Sequence, residues 1–297
     1  EYDHAASKPG WIDTESGERV EESEIHARYH DAVESQSGIR FIDPDTVGFD
    51  TARVPVLTSV FLEQDFTFGV ASEAEARSFV DTAPDKTAAH FDEESGVWQV
   101  TRRAGTEIRV PREVRLDCHV AGQLPGGFDF TRFGIPREML EGVDRVGLFN
   151  LVATADAFLS AGLTPEELLR WVHPARIGNT QGAGIGGMQS LQRLYVDLLL
   201  DKPRQNDALQ ETLINVSAAW VAQSYVGGYG CMSHPVAACA TAAVSLEEGY
   251  DKIRAGKADF VVAGGYDDTS REGLLGFTDM NATVQSDAML AMGIEPR

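Results

Sequence analysis

Apolar residues change their spacing along this chain, and the change falls near residue 110. Before it, they come in short alternating runs between polar stretches. Residues 20–35 read as a short polar helix, and residues 54–62 as a strand with Val56, Val60 and Leu62 on one side of a period of two. Residues 72–80 predict a helix, because Ser72 stands where a cap is needed and Glu75 follows at capping-box spacing. Residues 97–100 and 107–110 read as two strands around a turn at Ala104 and Gly105. Together these make a small α+β segment with no chemical motif of its own.

Beyond residue 110 the period lengthens and glycine-rich loops separate the elements. Residues 114–121 and 175–179 read as strands. Leu148, Leu151, Val152, Ala155, Phe158 and Leu159 share one helical face. Thr164, Pro165 and Glu167 supply a cap, a proline at the first helical position and a capping-box acid. Residues 188–200 predict a helix, and 207–225 a longer one with Leu209, Leu213, Val216 and Trp220 turned inward. An extended run over 235–238 leads to a helix over 241–255, with Leu246, Tyr250 and Ile253 on one face. A buried strand over 259–263 is closed by Gly264 and Gly265. Strands alternating with helices predict an α/β layer with a parallel or mixed sheet.

Composition narrows the function classes. The 297 residues are 43% hydrophobic and 24% charged, which excludes a wholly disordered chain. No apolar run reaches the length of a membrane span. Residues 1–10 are polar and mixed in charge, so no signal peptide is expected. With 25 basic against 46 acidic residues the net charge is −21, and residues 1–100 carry 22 of the acids and 7 of the bases. Neither nucleic acid nor an anionic membrane is an expected partner, since both are held by clustered Lys and Arg. Cys118, Cys231 and Cys239 follow no disulfide or metal-ligand spacing, which points to reduced thiols, no zinc and a cytoplasmic setting.

Two stretches could carry chemistry. Residues 182–187, with Gly182, Gly184, Gly186 and Gly187, fit the three-glycine pattern of dinucleotide sites. The strand that should follow such a loop is missing, and a tight loop between closely packed backbones explains the glycines as well. The second stretch is Pro235-Val236-Ala237-Ala238-Cys239-Ala240-Thr241. A short extended run ends in a cysteine and a helix begins at once, which is the outline of a nucleophile elbow. A sulfur there stands at a helix N-terminus, a setting that favours the thiolate. The alternative is a packed thiol, as free cysteines usually are. Cys118 and Cys231 are read as structural. His234 precedes Cys239 by five residues of extended chain and is read as a solvent or interface histidine; Asp267 and Asp268 are read as turn or packing residues.

At the cysteine motif the chain resembles the β-ketoacyl synthases. The residues that carry the resemblance are Val236-Ala237-Ala238-Cys239-Ala240-Thr241, Gly256-Lys257-Ala258-Asp259 and Ala263-Gly264-Gly265-Tyr266-Asp267-Asp268. The closer match is the synthase region of multifunctional type I fatty acid synthases of the fungal and actinobacterial kind. Val120-Ala121-Gly122-Gln123-Leu124-Pro125 and Phe133-Gly134-Ile135-Pro136 resemble the entry to that domain. Gly184-Ile185-Gly186-Gly187-Met188 resembles its glycine loop, and Gln210-Glu211 with Ala218-Ala219-Trp220 the helix before the active-site strand. Gly10-Trp11 and Ser37-Gly38-Ile39-Arg40 resemble the segment between ketoreductase and synthase.

The resemblance implies an α/β, thiolase-like layered fold. Residues 111–297 would be its N-terminal half, stopping in mid-domain, and residues 1–110 an acidic α+β connector. It implies a homodimeric synthase unit within a larger homo-oligomeric assembly, with an acyl carrier protein domain as partner. Cys239 would take the growing acyl chain and its backbone N–H would supply an oxyanion donor. Condensation with malonyl-carrier-protein would then extend the chain by two carbons. No metal or organic cofactor belongs to this step: the acyl groups arrive on phosphopantetheine, and NADPH serves other domains of the parent synthase. The two histidines and the lysine that the family also uses have no counterpart here, and His234 is the last histidine. These residues alone are therefore expected not to condense, and to leave open one sheet face and the apolar side of the core helices. The alternatives are a thiolase-type acyltransferase acting on coenzyme A thioesters, a non-catalytic dimerisation or scaffold portion, and a nucleotide-binding oxidoreductase resting on the glycine loop alone.

Overall fold

The strand Ile177–Gly182 is buried at every position, and the elements that hold the reactive loops are built around it. In the computed structural model, residues 2–3, 6–123, 128–200, 202–203 and 207–296 are described. Leu124 and Pro125, named above, and the last residue, Arg297, lie outside them. The strand pairs in parallel with Met232–Ser233 on one side and with Phe260–Gly265 on the other. Side chains alternate across a strand, so its residues serve two faces. Asn179 and Gln181 point to one face, where they bond to the Ala218 carbonyl and to Asn150 and Thr154. Thr180 points to the other and donates to the Ser245 carbonyl. Helices therefore cover both faces.

The first face carries the main apolar cluster. Helix Arg145–Ser160 lays Leu148, Leu151, Val152 and Phe158 against Ile177, Val221 and Val226. Leu159, expected on the same face, is 65% exposed. The capping box at Thr164 and Glu167 forms as its spacing predicts and starts the helix Pro165–Trp171. On the second face lies helix Thr241–Arg254, the crossover between the two outer strands. It rests on the sheet through Thr241, Ser245 and Gly249, small residues one turn apart. Leu246, Tyr250 and Ile253 stand on the opposite side, 61%, 63% and 46% exposed.

Several sequence expectations change. The helix predicted over 207–225 is broken into Ala208–Glu211, Ile214–Trp220 and a wider turn Val221–Val226. The break leaves Leu209 and Leu213 exposed, while Val216 stays buried. The strand expected over 114–121 is confined to Val120–Gly122, which pairs antiparallel with Ile39–Phe41. That pairing ties the N-terminal residues to the second part of the chain. The chain accordingly forms two units, one of residues 1–47 with 118–297 and one of 48–117, rather than dividing near residue 110.

The 48–117 unit is a broken antiparallel ribbon. Val54–Phe61 pairs along its whole length with Glu107–Val114, and Phe66–Val70 pairs with Val97–Arg102. Ala104 and Gly105 form the expected turn between the strands Val97–Arg102 and Glu107–Val114, which pair with other strands and not with each other. They form the break within the ribbon, where Gly105 takes φ +78° and donates to the Leu62 carbonyl. Thr87–Asp92 adds a third strand, and helix Glu73–Thr82, capped by Ser72 as predicted, buries Ala76 against Val70 and Val100. Among the described residues, no single helix is long and apolar enough to cross a membrane.

Candidate active site

The two outer features of the site are glycines at the ends of neighbouring strands. Gly182 and Gly265 face each other in the parallel register. A Cβ on Gly182 would fall 2.0 Å from the Pro235 carbonyl oxygen and 2.8 Å from the Thr241 methyl carbon. A Cβ on Gly265 would fall 2.9 Å from the backbone nitrogen of Ala242. Only bare backbone at both strand ends lets the segment 235–242 sit directly on the sheet.

That segment is the elbow. Ala238 takes φ +48°, a left-handed conformation that costs a non-glycine residue about 1–2 kcal/mol. A short turn, Ala238–Ala240, follows, and helix Thr241–Arg254 begins from it. Cys239 lies in the turn with its side chain exposed. Its backbone N–H donates to no protein acceptor among the described residues. The base of the elbow is tied as well: Ser233 donates to the Glu248 carboxylate, and Lys252 donates to both. Those hydrogen bonds hold the Glu248 carboxyl below its ordinary range.

The glycine loop lies beside the elbow. Asp267 accepts from the backbone N–H of Gly184 and of Ile185, at 3.1 Å each, and holds the loop near the Ala238 carbonyl. The far end of the loop presses on another backbone, since a Cβ on Gly187 would meet the Glu211 carbonyl oxygen at 2.0 Å. The loop's glycines are thus spent on close approach of backbones. Glu211 is itself buried, and accepts from the Asp144 N–H and the Trp220 indole. Burial pushes its carboxyl up, against those hydrogen bonds.

The remaining sequence candidates separate from the elbow. Cys118 is buried and donates to the Val120 carbonyl. Cys231 is half-buried; its carbonyl accepts from Asn179, and its sulfur lies where a side chain on Gly178 would go. His234 is half-buried and its Nδ1 lies 3.2 Å from the Gln181 carbonyl. Asp267 and Asp268, read as turn or packing residues, are each tied to a neighbouring element. Besides Asp267 on the glycine loop, the Asp268 side chain is 2% exposed and pairs with Arg145 at 2.8 Å. Burial raises the Asp268 carboxyl and Arg145 opposes the rise. An open cavity of about 800 Å³ beside this pair is lined by Phe128, Phe130, Phe133 and Phe149, and Cys239 is not among its lining residues. Exposed His30, Asp31 and Glu34 have ligand atoms close enough for one cation, on a helix that contributes nothing to the elbow.

A thiol on a sharp turn, at the end of a parallel strand layer covered by helices, is the architecture of the thiolase-like synthases. The chain belongs to the β-ketoacyl synthase family: residues 85–292 match the family's N-terminal domain. Its relatives include the fatty acid synthase subunit alpha of Penicillium patulum, 38% identical over 97% of this chain and 16% of that one. The subunit alpha of Candida parapsilosis is 39% identical over 92% of this chain and 15% of that one. The chain thus spans about one sixth of the length of these relatives. Among solved structures, the noncanonical ketosynthase FabY from P. aeruginosa shares the fold with a TM-score of 0.73 at 22% identity, over 95% of this chain and 44% of that one. A β-ketoacyl synthase from Burkholderia phymatum gives 0.51 at 17% identity, over 79% and 52%. The resemblance to the fungal synthases and the thiolase-like fold implied by the sequence motifs both stand.

Proposed function

We propose that Cys239 is the acyl acceptor of a 3-oxoacyl-[acyl-carrier-protein] synthase, a transferase within a type I fatty acid synthase. The observation that carries this is the exposed thiol on a left-handed turn at the strand ends of a ketoacyl synthase fold. Sγ attacks the carbonyl carbon of an acyl thioester held on phosphopantetheine. The old C–S bond breaks, and the thiol proton of Cys239 ends on the departing pantetheine sulfur. The Cys239 N–H, which has no acceptor of its own among the described residues, is placed to meet the oxyanion as it forms. A malonyl thioester then loses carbon dioxide, and the electron pair of the broken C–C bond becomes an enolate. Its carbon attacks the Cys239 thioester, and Sγ leaves and takes up one proton. The product is a 3-oxoacyl thioester two carbons longer.

On this reading the acyl carrier protein is the partner that delivers both groups, the step uses no cofactor of its own, and the setting is the cytoplasm. The family's histidine and lysine partners have no counterpart here, and His234 is engaged with the Gln181 carbonyl. These residues by themselves therefore take the acyl group and do not condense. The exposed Leu246, Tyr250 and Ile253 favour a further layer of the synthase over the helix that follows Cys239, with a dimer partner beyond it.

The test is to expose the full chain to radiolabelled acyl-carrier-protein and map the modified residue by mass spectrometry. Label at Cys239, abolished in Cys239→Ala, is expected. Label at Cys118 or Cys231, or none, overturns the reading and leaves a scaffold role.

A further inference from the structure

We propose that Thr241 is a positioning residue for Cys239: its hydroxyl fixes the peptide plane that carries the Cys239 N–H. The proposal rests on the reading of Cys239 as acyl acceptor and asks what aims the elbow.

Thr241 is the first residue of its helix and is 3% exposed. A threonine at the cap position turns its hydroxyl forward to accept from the next turn's N–H groups, but the cap position here is Ala240 and Thr241 stands one residue further on. Here it reaches back. Oγ1 accepts from the Ala237 N–H at 2.9 Å and donates to the Ala238 carbonyl at 2.8 Å. The helix has no side-chain cap at its N-terminus, so the hydroxyl is committed to the elbow instead. The two groups it holds flank Ala238, the residue at φ +48°. A strained residue persists only where its surroundings over-determine it. Two contacts do so here, the Thr241 hydroxyl and the Ala240 N–H on the Ala237 carbonyl at 3.0 Å, while the bare backbone of Gly182 makes room for Pro235 and the Thr241 methyl.

The carbonyl that Thr241 holds matters most. The Ala238 C=O and the Cys239 N–H belong to one peptide group, which is planar and trans, so they point in opposite directions. Drawing the carbonyl in toward the buried Thr241 turns the Cys239 N–H out, where it has no acceptor among the described residues. The hydroxyl thus sets the direction of the oxyanion donor. The Thr241 methyl has a separate task, since it packs where a side chain on Gly182 would go.

The two roles come apart in two variants of the full chain. Thr241→Val keeps the shape and loses the hydroxyl; Thr241→Ser keeps the hydroxyl and loses the methyl. Two reactions at Cys239 are compared. Acyl transfer from radiolabelled acyl-carrier-protein develops an oxyanion, whereas alkylation by iodoacetamide does not. In Thr241→Val the maximal single-turnover rate of acyl transfer is expected to fall about tenfold or more, with the half-saturating carrier concentration and the alkylation rate within about threefold of wild type. Thr241→Ser is expected to stay within about threefold in both reactions. Unchanged acyl transfer in Thr241→Val overturns the proposal. So does an equal loss of both reactions, which would mean that the elbow has collapsed, or equal damage in both variants, which would assign the effect to the methyl. A wild-type chain that takes no acyl group at Cys239 overturns the reading of Cys239 itself and this proposal with it.

Discussion

Cys231 and Cys239 lie at opposite ends of one short parallel sheet, and glycine surrounds both. At the start of the central strand, a Cβ on Gly178 would fall 2.8 Å from the Cys231 sulfur, and Gly228 and Gly230 press on Ile177. At its end, Gly182 and Gly265 admit the turn that carries Cys239. The close approach is similar, but the outcome differs. Cys231 is half-buried with its carbonyl bonded to Asn179, so the chain there is joining the strand ladder. Cys239 comes after the ladder has ended, where the chain must reverse into a helix. Glycine brings the backbone close in both places; only at the strand end is the thiol carried past the sheet and left open.

The largest test of that contrast exchanges the two contacts. Gly182→Ala would drive a methyl to 2.0 Å from the Pro235 carbonyl oxygen, which is backbone and cannot swing away. Acyl transfer to Cys239 is expected to fall by about 5- to 150-fold, because overpacking of about 1–3 kcal/mol is relieved by moving the elbow. Gly178→Ala meets first the sulfur of a side chain, which can rotate, and then the Cys231 carbonyl oxygen at 3.1 Å. It is expected to lower the thermal unfolding midpoint while acyl transfer stays within about threefold. Equal losses in the two variants would break the contrast.

A smaller effect is expected at Asp267, which steadies only the glycine loop beside the elbow. Asp267→Ala frees the N–H groups of Gly184 and Ile185. Asp267 is exposed, so water replaces much of what is lost. Acyl transfer is expected to fall about three- to tenfold, with alkylation of Cys231 in the same chain unchanged. No change in acyl transfer would show that the loop keeps its place without the carboxylate.

The sequence shows these features unevenly. Caps are local, so Ser72, Thr164 and Glu167 can be read directly and are found in place. The glycine pairs are visible too, but their reason is not, because Gly182 and Pro235 are far apart in sequence. Periodicity marks the face of a helix that is apolar, which is a different matter from the face that meets the sheet. The helix after Cys239 lies on Thr241, Ser245 and Gly249, too small to register as a stripe, and turns Leu246, Tyr250 and Ile253 outward. For the same reason Thr241 reads only as part of a motif: its reach back to Ala237 and Ala238 depends on a turn that no hydropathy pattern encodes. The pairing of Ile39–Phe41 with Val120–Gly122 leaves no local trace at all, and it moves the first 47 residues into the unit that holds the elbow.

The mildest test reaches the far end of the glycine loop, through Glu211. Its backbone carbonyl takes the close approach of Gly187, and its buried carboxyl accepts from Asp144 and Trp220. Burial raises this carboxyl in the folded chain, so the folded state holds the proton more tightly than the unfolded one does. Stability from this group is therefore present below the ordinary carboxylate range and is lost as pH rises through the raised value. Glu211→Gln stays neutral throughout and removes that slope. The wild-type unfolding midpoint is expected to fall relative to Glu211→Gln as pH is taken from about 4 to about 7, the carboxylate range and above. Alkylation of Cys239 should be unaffected over the same comparison, because Glu211 touches the loop at the end away from Asp267. A midpoint difference that does not vary with pH would mean that the two hydrogen bonds cancel the effect of burial, and one that varies in the opposite sense that they outweigh it. A change in Cys239 alkylation would mean that the loop transmits strain along its whole length, and that the elbow depends on more than the strand ends beneath it.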